Sequence, residues 1–165
     1  MNNNRILKNY LRELKLQIEF SYICYEHYIN DTSNKESKLV FMHAHHLLVH
    51  VANISKIIDS KKRKELFLSL DFSIIDLKKF RELRNHLEHF DERLDNYIKN
   101  NENKPFFDMN NLTGTKGFPF SIVNVLRAFD GNNFIFLNEK FNLEELVSEI
   151  KKIEIIIEPF VKEED

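Results

Sequence analysis

Apolar residues recur every three or four positions through most of the first hundred residues, the spacing of helices buried along one side. A first helix is expected from about 5 to 29, with Ile6, Tyr10, Leu14, Ile18 (or Gln17) and Ile23 turned inward. The run Asn30-Asp31-Thr32-Ser33-Asn34 reads as a turn by composition. A second helix, about 35 to 59, carries Val40, Ala44, Leu47, Val51, Ile54 and Ile58 and is apolar on most sides, which suits the centre of a bundle. A shorter helical piece near 62 to 70 leads to a helix from about 76 to 100. Its stripe is Leu77, Phe80, Leu83, Leu87, Phe90, Leu94 and Tyr97.

All three glycines and all three prolines fall after residue 100, so the strongest chain breakers are missing where these helices are expected. Between 101 and 142 the pattern changes. Two β-rich runs, 121–129 and 134–137, flank Asp130-Gly131-Asn132-Asn133, a hairpin signal. Phe106, Phe107, Phe118 and Phe120 around this region read as packing residues in preference to base-stacking platforms, a choice that an exposed pair would change. Asn142 has the chemistry of an N-cap, with Glu144 and Glu145 in the first turn beyond it. The last helix then offers Leu143, Leu146, Ile150, Ile153 and Ile157 before Pro159 ends or kinks it. The expectation is a single domain over 1–165, mainly α: a four-helix bundle with a β-hairpin inserted at about 119–138, before the last helix.

Composition narrows the function classes. The chain is 42% hydrophobic and 30% charged, a globular profile, and its net charge of −2 provides no global field for nucleic acid. A local field is present instead. Nine Lys or Arg against five acids lie between Lys56 and Arg84, including the run Lys61-Lys62-Arg63-Lys64, whereas the segment from Glu139 onward holds nine acids and four lysines. Lys61, Lys62, Arg63, Lys64 and Arg81 are therefore the candidate phosphate contacts, although short charge runs also serve simply to solvate a turn. The single cysteine, Cys24, excludes an internal disulfide and sits in an apolar helical stretch, as a small core residue would. No apolar run approaches a membrane span and residues 1–5 lack a signal-like apolar segment, so the expected location is cytoplasmic, with no membrane partner.

The densest chemistry is Arg84-Asn85-His86-Leu87-Glu88-His89. At 100° per residue Asn85 and His89 fall opposite the apolar stripe, with Arg84 at its edge. A permanent cation suited to phosphate oxygens thus sits near an imidazole able to accept and donate protons near neutral pH. Glu92, one turn beyond His89, is placed to set its tautomer. One outward turn does not make a pocket, and a second copy related by a two-fold axis would supply the missing wall. The same residues also fit an ordinary solvated face, since Arg84 and Glu88, and Asn85 and His89, stand four apart.

Arg-x4-His with a polar residue after the arginine resembles the motif of HEPN domains, helical bundles of about this size whose catalytic members are ribonucleases. The resemblance covers six residues. It implies a metal-independent endoribonuclease with no cofactor, its site completed across a homodimer interface. Arg84 would hold the scissile phosphate, His89 would act as general base or acid, and Asn85 would orient one of them, with Glu88 and Glu92 in support. It further implies RNA as substrate, and an antitoxin or other regulatory protein of a toxin–antitoxin or defence system as a possible partner. Two other readings fit the chain. One is a non-catalytic helical module binding a nucleotide, RNA or a protein. The other is a metal-binding bundle using His43, His46 and His50 of the second helix with His86, where the four-residue step from His46 to His50 suits chelation. No Glu-x-x-His or HExxH motif accompanies those histidines.

Overall fold

The computed structural model describes residues 3–34, 37–111 and 123–161. Five helices and four strands occur among them: α1 (Asn3–Asn34), α2 (Ser37–Ile58), α3 (Leu77–Glu88), α4 (Phe90–Asn100), β1 (Phe106–Asn111), β2 (Asn124–Asp130), β3 (Asn133–Phe136), β4 (Glu139–Asn142) and α5 (Leu143–Val161). The protein is mainly helical with a small sheet. Helix α2 is central, packed against α1 and α3, and α1 also packs against α5. All six core positions expected in α2 are buried, as are all five expected in α5.

Helix α1 runs through the expected turn at 30–34. Tyr28, 1% exposed, donates from its hydroxyl to the Gly131 carbonyl, and Thr32 Oγ1 donates to the Tyr28 carbonyl. Tertiary anchorage thus outweighs the turn preference of the polar residues. The inner face of α1 is Leu11, Leu14, Gln17, Ile18, Ser21, Cys24 and Tyr28, whereas Ile23 is 50% exposed. From Ile18 the helical period leads to Ser21, and small side chains there admit close contact with α2. The helical piece expected at 62–70 is only a single 3-10 turn, Lys61–Arg63, followed by irregular turns. Pro159 lies inside α5, which continues to Val161.

The expected hairpin is β2–β3, with Asp130 paired to Asn133 and Gly131 at φ +58 in the two-residue loop. That positive φ is what a tight hairpin asks of glycine. Residues 119–122 of the expected insertion, with Phe118 and Phe120, lie outside the described residues. The hairpin is two strands of a four-stranded sheet of order β1-β2-β3-β4, in which β1 runs parallel to β2 and the other pairs are antiparallel. A second two-residue loop, Leu137 and Asn138, has both φ values positive at 50° and 64° and turns β3 into β4. Phe129, Phe134, Phe136 and Phe141 join the helical core, while Val125, Ala128 and Ile135 form a second small cluster. The Arg127 fork meets the Asp108 carboxylate at 2.9 Å through both Nε and Nη2, tying β2 to β1. Phe106 and Phe107 are 49% and 39% exposed, so these two rings are only partly used in packing.

Candidate functional site

The expected helix from 76 to 100 is two helices meeting at His89. Asp76 caps the first, its Oδ1 accepting from the Lys78 amide at 3.2 Å. Phe80 is fully buried, whereas α4 contains no buried residue and Leu87, Phe90, Leu94 and Tyr97 are only half-buried. His89 leaves the helical region at φ −115 and ψ 36. Its amide still donates to the Asn85 carbonyl at 3.3 Å, and its own carbonyl accepts from the Arg93 amide at 2.9 Å. The ladder therefore hinges at this residue without being cut.

His89 and Asn85 are both exposed. The imidazole, 57% exposed, has Nδ1 3.5 Å from a Glu92 carboxylate oxygen. Glu88 turns away toward α2, where Lys56 lies 3.1 Å from its carboxylate. Arg84 belongs to α3, and its side chain lies outside the described residues. A cavity of about 260 Å3 nearby is walled by Lys79, Glu82, Glu139, Phe141 and Glu145, and its walls contain neither Asn85 nor His89.

His86 does not join the helix-two histidines as the metal-binding reading required. It is 4% exposed and points to the sheet and to α4, away from the helix-two histidines. Nε2 lies 2.7 Å from Glu139 Oε2, Nδ1 lies 3.1 Å from Arg93 Nη1, and the ring meets Phe141 edge-on at 5.8 Å. The other histidines are likewise engaged by neighbours. His43 Nε2 lies 3.4 Å from Asp31 and its ring stacks on His27 at 4.9 Å. His50 Nδ1 lies 2.9 Å from Gln17 Oε1, while His46 is exposed. Among the described residues no three His, Cys, Asp or Glu side chains are grouped to hold a metal ion. Burial, with His46 and Arg127 nearby, lowers the pKa of His45; burial and His46 lower that of His50. Burial raises the pKa of the Cys24 thiol, the opposite of what a nucleophile requires.

The basic run divides. Lys61, Lys62 and Lys64 are exposed, but Arg63 folds back on α2. Its Nε donates to the Ile57 carbonyl at 3.0 Å, its Nη2 donates to the Lys56 carbonyl, and its guanidinium lies 5.0 Å over the Tyr10 ring. Arg63 is thus a C-terminal cap for α2. Arg81 is paired with Asp59 at 2.8 Å.

Sequence reasoning missed the Glu139–His86–Arg93 cluster. Position 86 borders the apolar stripe, which is a signal that it faces inward. Glu139 lies 53 residues away, and no local spacing announces it. Comparison with protein-family models, with curated proteins and with solved structures found no match for this chain. No helix among the described residues is long and apolar enough to cross a membrane.

Proposed function

We propose that the protein is a metal-independent endoribonuclease of HEPN type, acting as a homodimer whose two α3–α4 hinges form one composite site. The observation that carries this reading is the exposed His89 imidazole at the hinge, one turn beyond exposed Asn85 and 3.5 Å from Glu92, within the Arg-x4-His frame. A carboxylate beside an imidazole can fix the orientation of the ring for proton transfer. Arg84, as a permanent cation, neutralises the phosphate, and His89 takes the proton of the ribose 2′-hydroxyl or gives one to the leaving oxygen. Attack by the 2′-hydroxyl leaves a 2′,3′-cyclic phosphate end. The hinge is open to solvent on one protomer, so the enclosing wall comes from the second copy. Lys61, Lys62 and Lys64 add non-specific attraction for the RNA backbone.

The test is cleavage of single-stranded RNA in EDTA, read with the oligomeric state of the purified protein. The expected result is a dimer that cuts and leaves cyclic-phosphate ends, with Arg84→Ala and His89→Ala each lowering the rate by about 100-fold or more while remaining folded. Cleavage that stops in EDTA, or a strictly monomeric active protein, overturns the reading.

A further inference from the structure

We propose that Glu139 and Arg93, acting through His86, are positioning residues that fix the α3–α4 hinge and with it the direction of the His89 imidazole. This deepens the nuclease reading, but its physical part stands on the cluster alone. A guanidinium has only donors, so His86 Nδ1 must accept from Arg93 across their 3.1 Å contact. The ring's proton then sits on Nε2 and is donated to the Glu139 carboxylate at 2.7 Å. Both nitrogens are satisfied, one tautomer is selected, and a flip would break both contacts of a buried imidazole.

The cluster spans the hinge. His86 lies three residues before His89 and Arg93 four after it, while Glu139 begins β4. Helix α4 has no buried residue to hold its direction. Near the hinge its other anchor is the half-buried Phe90 ring, stacked on Phe136 at 5.7 Å, while its far end is held by Tyr97 edge-on to Phe106 at 6.1 Å and by the Asn101 carbonyl accepting from Asn124 Nδ2 at 3.0 Å. Phe90 and Arg93 hold the first turn of α4, next to the hinge, and Tyr97 and Asn101 hold its far end. Because the Arg93 amide also bonds the His89 carbonyl, displacement of Arg93 acts directly on the residue that carries the imidazole.

The experiment is NMR on the full chain without RNA, followed by cleavage kinetics. In the wild type the His86 nitrogen shifts should report the Nε2–H tautomer. Arg93→Met, which keeps the aliphatic stem, should raise hydrogen exchange at residue 93 about tenfold and shift the His89 ring signals and their pH titration. Amides of α1, α2 and α5 should stay as protected as before. His86→Phe, which retains the packing against Phe141, should do the same, and Glu139→Gln, which can still accept from Nε2–H, should restore most of the wild-type spectrum. In cleavage, kcat should fall about 10- to 100-fold with KM little changed, as expected for misplacement of a reacting group. An Nδ1–H tautomer, or unaltered exchange and His89 signals in Arg93→Met and His86→Phe, overturns the proposal. A wild type with normal hinge readouts and no cleavage removes the nuclease reading instead.

Discussion

Helices α2 and α4 are both amphipathic, yet the protein uses them in opposite ways. α2 buries Val40, Phe41, Ala44, Leu47, Leu48, Val51, Ala52, Ile54, Ser55 and Ile58, so neighbouring elements surround it on most sides. α4 buries none of its residues and is held by scattered contacts: the Phe90 ring on Phe136, Arg93 on His86, and at its far end Tyr97 edge-on to Phe106 and the Asn101 carbonyl accepting from Asn124 Nδ2. A helix surrounded by packing has its position decided many times over, and a single contact there matters only as energy. A helix held at a few points has its direction decided by those points, and each contact matters as geometry. The hinge that carries His89 belongs to the second kind, which is where a displayed reactive group gains most from a few well-made polar contacts.

The largest effect should come from emptying the α2 core. Leu47→Ala is expected to lower unfolding stability by about 2–5 kcal/mol, since a fully buried leucine leaves a cavity its neighbours cannot close. Urea unfolding measures this directly, and a loss under 1 kcal/mol would show that α2 is less central than its burial indicates. Phe90→Ala in the exposed arm should cost less, about 1–2 kcal/mol for a half-buried ring. It should nonetheless disturb the His89 signals more than Leu47→Ala does. If the core variant shifted the hinge more than the arm variant, the division between energy and geometry would fail.

That division also explains what could be read from the chain. The central helix was legible because its apolar residues repeat over six turns and tertiary contacts agree with the pattern. The last helix was legible for the same reason, and its start was marked by Asn142, whose Oδ1 accepts from the Glu145 amide at 3.0 Å. The break at His89 was not, because the apolar stripe continues in phase through Leu87, Phe90 and Leu94 while the backbone departs at one residue. Strand β1 was hidden as well. It pairs in parallel with β2 from a distance in sequence, and parallel pairing has no turn to announce it. Of the site, Asn85 and His89 were placed outward correctly by periodicity. His86 was misplaced because its partners come from α4 and β4, a long-range choice that local spacing does not encode.

Acid should weaken the helical core by a smaller amount. Burial lowers the pKa of His45 and of His50, so the folded state resists protons that the unfolded chain accepts near pH 6.5. The unfolded state then binds more protons below that pH. The contribution of these histidines is fully present above about pH 6.5 and is lost as the pH falls toward their folded values. Replacing His45 by Gln, which cannot titrate, should flatten the dependence of the urea midpoint on pH between 7.5 and 5. Parallel curves for variant and wild type would assign the acid sensitivity elsewhere.

The smallest effect is expected on the surface, at the Lys56–Glu88 pair that joins α2 to the end of α3. Lys56 and Glu88 are 44% and 40% exposed at a separation of 3.1 Å, so water screens the attraction and two flexible side chains lose freedom in making it. Lys56→Gln should therefore change stability by less than about 1 kcal/mol, and added salt should reduce even that. The His89 ring signals should stay in place, since the pair joins α2 to the end of α3. A large shift at His89 would mean that the hinge is held from the bundle side too. Arg93 and His86 would then share the role of setting its direction with an ion pair that packing alone would rank as ornamental.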